Sequence, residues 1–182
     1  VTNTIDINGS GSEVAAAFAA IDTNTGNATA TVTGNDYTVS NLKAINAATS
    51  GSITLSNTGV ALSGTSSNLA AAFAGTVTTH TGTVEITNND YTVAELVTIN
   101  NASTGTITLT THNVAISGTS ANLALALAGN INHSGTVTIT NDDYTLAELQ
   151  AINNGTTGSI SIQHDIETTE LKTINDATDG SI

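Results

Sequence analysis

The sequence lacks several residue types on which common protein functions depend. It contains no Cys, Pro, Met or Trp, and it has 2 basic residues against 15 acidic ones, for a formal net charge of −13. Without Cys, neither a disulfide framework nor a thiolate metal site can form. Nucleic-acid binding needs Lys or Arg to neutralise phosphates, so the charge balance excludes nucleic acid as a partner, and an anionic membrane surface for the same reason.

Long apolar runs are missing as well. A membrane-spanning helix needs about 18 or more apolar residues, and no stretch approaches that length, so we expect no membrane insertion. The chain is 38 % hydrophobic and 9 % charged, which argues against simple disorder. The abundance of Thr, Asn, Ser, Gly and Ala is typical of repetitive extracellular proteins.

What the sequence does contain is a repeat. An apolar residue preceded by Asn or Glu recurs every 22 to 28 positions, at Val14, Leu42, Leu69, Leu96, Leu123, Leu149 and Leu171. These anchors predict one array over residues 1–182, with units of about 27 residues at approximately 1–26, 27–51, 52–82, 83–105, 106–135, 136–158 and 159–182. Two kinds of unit alternate, one with GTSSNLAAAFAG and the other with a DYT block, so that Tyr91 repeats the position of Tyr37 two units later.

Each unit has the same local pattern. Period-two alternation predicts short strands, at residues 53–55, 84–86, 107–109, 137–139 and 160–162. About two turns of helix follow, and we expect left-handed Asn residues to close them, at Asn46, Asn100, Asn153 and Asn175. The units with GTSSNLAAAFAG have an extra apolar segment, predicted as a second strand, at residues 60–62 and 114–116.

These helices are too short to be stable alone, because isolated helices need roughly 12–15 residues. Stacking of units must therefore supply the core. Crossovers between parallel strands are right-handed in about 98 % of cases. The predicted fold is an α/β repeat, a right-handed solenoid of short parallel strands with one short helix per coil.

The DYT block predicts a helix start. Thr92 and Glu95 have the spacing of a capping box, and Tyr91 and Leu96 have that of a hydrophobic staple. The same staple spacing recurs at Tyr37, Tyr144 and Ile166. Ile in place of Tyr suits a staple and does not suit a catalytic phenol.

Acidic residues before the staples are the candidate metal ligands. If the units stack, Asp36, Asp90, Asp142 and Asp143 lie near one another, and Ca²⁺ accepts such oxygen ligands. The alternative is that they are turn residues, whose negative charge is favourable near a helix N-terminus without any metal. No other cofactor is indicated.

Nothing in the sequence predicts catalysis. There is no G-x-S-x-G nucleophile elbow, Gly-rich phosphate loop or zinc motif, so we expect that the protein is not an enzyme. Four His residues fall in predicted turns, where we expect them at the surface, at His80, His112, His133 and His164.

Two surface features remain. Sequons for N-glycosylation occur at Asn8, Asn27, Asn101, Asn132 and Asn154. Thr-x-Thr pairs could form a hydroxyl array similar to the ice-binding faces of some β-solenoid antifreeze proteins. Because Thr is common on solvent-facing strands, the pairs have a purely structural explanation too.

The phrase DYTVAEL…IN…TGTITL, alternating with VAISGTSANLALALAG, resembles the tandem repeats of very large surface-exposed or secreted proteins of aquatic bacteria, cyanobacteria among them. The resemblance implies an extracellular or cell-surface location and a structural or adhesive role. The chain opens on a predicted strand and stops where another should begin, and exposed solenoid edges favour pairing. We therefore expect copies of the chain to stack head to tail into a filament or surface fibre, with glycans attached or bound. The alternatives are the stalk of an adhesin with Ca-stabilised repeats and an ice-binding Thr-rich solenoid.

Overall fold

The computed structural model describes residues 5–21 and 26–163, which form an α/β structure of six helices and nine short strands. The helices are α1 (Gly11–Ala20), α2 (Val39–Ala48), α3 (Ser66–Phe73), α4 (Val93–Ala102), α5 (Ser120–Ala126) and α6 (Leu146–Gly155). The strands are β1 (Asp6–Gly9), β2 (Thr29–Val32), β3 (Ile53–Leu55), β4 (Leu62–Gly64), β5 (Val84–Ile86), β6 (Ile107–Leu109), β7 (Ile116–Gly118), β8 (Val137–Ile139) and β9 (Ile160–Ile162).

The strands form three separate parallel sheets of three strands each, in the orders β1-β2-β3, β4-β5-β6 and β7-β8-β9. A helix lies between every two strands that pair, which is the connection that parallel pairing requires. Paired residues are 21 to 23 positions apart along the chain, as in Ala30 with Ile53. The chain passes from β3 to β4, and from β6 to β7, without a helix. These segments without a helix add residues to every second unit. The average sequence repeat of about 27 residues is therefore longer than the 21 to 23 positions that separate paired strand residues.

One hydrophobic core runs along the described units. Inward strand residues such as Ile53 and Leu55 are buried while Thr54 between them is exposed, which confirms the predicted alternation. The helices contribute the anchor residues, and those at Val14, Leu42, Leu69, Leu96 and Leu123 are buried. Leu149 is half-buried, and Leu171 lies outside the described residues. Consecutive helices contact one another from α1 to α6, so the helices and strands pack in chain order.

The first and second sheets each end at a side chain that bonds the backbone of the last strand. Next to β3, Val77 makes a single isolated parallel bridge to Ile53. The next residue, Thr78, also bonds β3 through its side chain. Its Oγ1 accepts a hydrogen bond of 3.2 Å from Leu55 N. Beyond β6, Oδ1 of Asn132 accepts one of 2.7 Å from Leu109 N. These side chains satisfy edge donors that would otherwise be open to another strand.

The five predicted strands are confirmed as β3, β5, β6, β8 and β9. The predicted extra strands exist but begin two residues later, as β4 and β7. The difference arises because the Val60 and Val114 carbonyls accept hydrogen bonds from His80 and His133 rings and are not part of a ladder.

The prediction that Asn residues close the helices in a left-handed conformation was wrong. Asn46, Asn100 and Asn153 lie inside helices that continue beyond them. The caps that follow are Thr49, Ser103 and Thr156, and all three are extended. The Asn side chains act between helices instead: Nδ2 of Asn46 donates to Ala71 O at 2.8 Å and Nδ2 of Asn100 to Leu125 O at 2.7 Å. Asn175 lies outside the described residues.

Candidate functional site

The DYT blocks begin helices, as the sequence predicts. Thr92 Oγ1 accepts from Glu95 N at 3.3 Å, and Glu95 Oε2 accepts from Thr92 N at 2.8 Å, which completes a capping box. Equivalent boxes join Ser10 to Glu13, Thr38 to Asn41 and Thr145 to Glu148. Backbone hydrogen bonds from Ser10 and Thr145 lower the pKa of the Glu13 and Glu148 carboxyl groups. Thr65 and Thr119 form only the first half of the box.

The repeated Tyr belongs to the interior. Tyr37 and Tyr91 are buried, and burial raises the pKa of both phenols. Each hydroxyl donates to a backbone carbonyl of a later segment, Tyr37 to Asn57 O at 2.8 Å and Tyr91 to Thr111 O at 3.0 Å. The phenols therefore join neighbouring units. Each Tyr directly precedes the cap residue, and the staple contact itself remains a prediction.

Two further positions belong to this series, Tyr144 and Ile166. Tyr144 is half-buried, and Ile166 lies outside the described residues.

A polar network joins the N-termini of successive helices. Asn88 Oδ1 accepts from Ser66 N at 2.7 Å, and its Nδ2 donates to Ser66 Oγ at 2.9 Å and to Asp90 Oδ1 at 2.5 Å. Ser66 Oγ in turn donates to Glu95 Oε2 at 3.0 Å. The same contacts recur one double repeat later, among Ser120, Asn141, Asp143 and Glu148. Charge-assisted hydrogen bonds of this kind stabilise the helix starts and align the units.

These contacts place the candidate calcium ligands. Asp36, Asp90, Asp142 and Asp143 are all exposed in the loops before α2, α4 and α6. Within residues 5–21 and 26–163, no three His, Cys, Asp or Glu side chains come together in an arrangement that could hold a metal ion. The carboxylates of Asp90 and Asp143 instead accept from Asn88 and Asn141, so the turn-forming alternative has direct structural support.

The surface prediction was wrong for two of the His residues. His80 and His133 are 0 % and 2 % exposed. Nε2 of His80 lies 2.7 Å from Val60 O, and Nε2 of His133 lies 2.9 Å from Val114 O. Burial lowers the pKa of both imidazoles. Sequence reasoning missed them because each occupies a space formed by segments that are distant along the chain, which no local pattern shows.

The other two His residues are His112 and His164. His112 is exposed, as expected, and His164 lies outside the described residues.

The sequons are not equivalent, although all five Asn residues are exposed. Asn132 uses its amide to bond the backbone of Leu109, accepting from N at 2.7 Å and donating to O at 3.3 Å. A glycan on Asn132 would disrupt the end of the second sheet. The other four sequons therefore suit modification better, at Asn8, Asn27, Asn101 and Asn154.

The outward hydroxyls form short rows and no continuous array. Asn8, Thr31 and Thr54 are paired in the first sheet. The corresponding row of the second sheet contains Glu85 between Ser63 and Thr108. Because each sheet in the described part of the chain has three strands, each row contains three paired positions.

Comparisons with known proteins add no assignment: neither a family model nor a curated protein matches the chain. The described part has no helix of the length and hydrophobicity that crossing a bilayer demands.

Proposed function

We propose that the chain is a right-handed α/β solenoid and a structural repeat protein, a subunit or segment of an extracellular filament or surface fibre. The observation that carries this proposal is the recurrence of the same contacts between successive units. The Asn and Tyr hydrogen bonds between units both recur one double repeat later, from Asn46 to Asn100 and from Tyr37 to Tyr91. Repeated contacts of this kind between neighbouring units are typical of solenoids, in which each repeat is stabilised by the repeats next to it.

The order of contacts supports the solenoid. Strands pair in chain order within each sheet, helices contact in chain order, and helix-containing crossovers between parallel strands are right-handed in about 98 % of cases. Parallel strands repeat every ~4.8 Å whereas packed helices need ~8–10 Å. The described residues contain nine strands for six helices, so the extra strands β4 and β7 reduce this mismatch.

Head-to-tail stacking of copies is part of this proposal. Contacts between successive units are asymmetric: Asn46 and Asn100, for example, both donate to the helix that follows their own. An interface of that kind between copies is heterologous and does not close, so it produces a filament. The same contacts would serve the stalk of an adhesin. No arrangement of nucleophile, base and oxyanion donors emerges among the described residues, so we propose no catalytic role.

The filament is tested on the purified chain over a wide concentration range. We expect fibres of uniform width in negative stain and a mass by light scattering that increases with concentration. A strictly monomeric species at the highest concentration would refute the filament. Small-angle scattering at low concentration, where single chains predominate, tests the solenoid separately. A stack of units would give an elongated particle, whereas a globular arrangement would not.

A further inference from the structure

Two buried imidazoles occupy the same position in successive double repeats. His80 and His133 each directly precede the glycine turn that leads into a strand, β5 or β8. Each ring lies between two other segments of the chain. Nδ1 of His80 is 3.5 Å from Ser103 Oγ, and Nδ1 of His133 is 2.9 Å from Thr156 Oγ1. With the Val60 and Val114 carbonyls on the other side, each imidazole joins three segments.

A carbonyl oxygen can only accept, so Nε2 carries a proton in either charge state. In the neutral ring Nδ1 can accept from the Ser or Thr hydroxyl, and in the charged ring it would have to donate to that hydroxyl oxygen. A second proton would fall on Nδ1, deep between the segments. For His80, the ring of Phe73 lies 5.6 Å away between centroids.

No opposite charge faces either ring from the described segments that contact it. Around His80, α3 contributes Phe73, the segment before β4 contributes the Val60 carbonyl, and the end of α4 contributes Ser103. None of these groups titrates. His133 has the equivalent Val114 and Thr156 contacts.

One titratable group does act on His133. It is the imidazole of His112, whose positive charge adds to the effect of burial in lowering the pKa of His133. A buried charge without an opposite charge beside it is costly, so a protonated ring favours conformations in which it reaches water.

We propose that His80 and His133 are two acid-sensitive joints, whose protonation separates the segments they connect and loosens the array. The joints lie within one chain, so this inference does not depend on filament formation. The direction follows from linkage. In the unfolded chain His has an ordinary pKa of about 6.5, and in the folded chain the pKa of both rings is lower. Below pH 6.5 unfolding therefore takes up protons, and stability falls as pH falls towards the folded pKa.

The experiment is urea unfolding of the whole chain between pH 7.5 and 5, above the range where most carboxyl groups titrate. Each buried His should raise the unfolding equilibrium constant by up to about tenfold per pH unit below 6.5, and the two together by up to about a hundredfold. The doubly substituted chain, His80→Gln with His133→Gln, should lose this dependence. The singly substituted chain, His80→Gln, is the matched comparison, because it leaves His133 and its neighbour His112 unchanged, and it should retain about half of the dependence.

Nuclear magnetic resonance of the imidazole nitrogens in the unsubstituted chain provides a second measurement, should the double variant fail to fold. We expect both rings to be the Nε2-protonated tautomer and to titrate below 6.5. Amide exchange near Ser103 and Thr156 should become faster as the rings take up protons. Titration of both rings at the ordinary value, or a double variant with the full pH dependence, would overturn the proposal.

Discussion

A glycine between two units offers the sharpest test of the stacking. Gly105 precedes β6 and lies directly against Gly82, which precedes β5. A Cβ added at Gly105 would be 1.9 Å from the carbonyl oxygen of Gly82. Because the obstacle is backbone and cannot rotate away, Gly105→Ala must move the two segments apart by about 1 Å or more.

The cost follows from what that movement breaks. Two hydrogen bonds of 2.9 Å flank the contact, from Thr104 N to His80 O and from Val84 N to Thr106 O. Losing both costs about 0.5–1.5 kcal/mol each, and overpacking adds about 1–3 kcal/mol. We therefore expect Gly105→Ala to lower the free energy of unfolding by about 2–6 kcal/mol.

The assay is urea denaturation followed by circular dichroism, with amide hydrogen exchange measured at Thr104 and Val84. Gly59→Ala is the matched control, since its nearest non-neighbour atom would be 3.5 Å from the added Cβ. That variant should change stability by no more than about 0.5 kcal/mol. If Gly105→Ala behaved like Gly59→Ala in both measurements, the close approach of successive units would be refuted.

The remaining predictions concern single contacts. Tyr91→Phe removes the hydrogen bond to Thr111 O and should lower the free energy of unfolding by about 0.5–1.5 kcal/mol, measured by urea denaturation. Tyr91→Ala should lower it by about 3–5 kcal/mol, because it leaves a cavity. Equal losses in the two variants would contradict a mainly apolar role for the ring. Asn100→Ala should cost about 0.5–1.5 kcal/mol by losing its bond to α5, while the exposed neighbour Asn101→Ala should be nearly neutral; the reverse order would show that α4 and α5 are joined differently. Thermal unfolding in EDTA and in millimolar Ca²⁺ should give the same midpoint, and a midpoint several degrees higher in Ca²⁺ would instead support the Ca-stabilised stalk.

Much of the local structure was predictable because its causes are local. Alternation of β-branched and polar residues over three positions suffices to place strands such as β3 and β5. The capping box at Thr92 has a spacing that is visible in the sequence. The alternation of two kinds of unit is likewise a property of the sequence alone.

The errors and omissions share a different cause. Asn is one of the residues that can end helices, which is why Asn100 was predicted to end one. Its side chain instead donates a hydrogen bond to the following helix, and a prediction from neighbouring residues alone does not take that helix into account. His80 and His133 are buried between segments that are distant along the chain. Sequence composition could not show where a polar ring would find two partners from separate segments.

The repeat, most of the strands and the helix starts could be read from the sequence, since these depend on residues close to one another along the chain. Only the tertiary structure decided where sheets end, which His residues are buried and where glycine is required. Those features depend on the register between units, and the register is fixed only when the intervening helix and turns have folded and brought backbone against backbone.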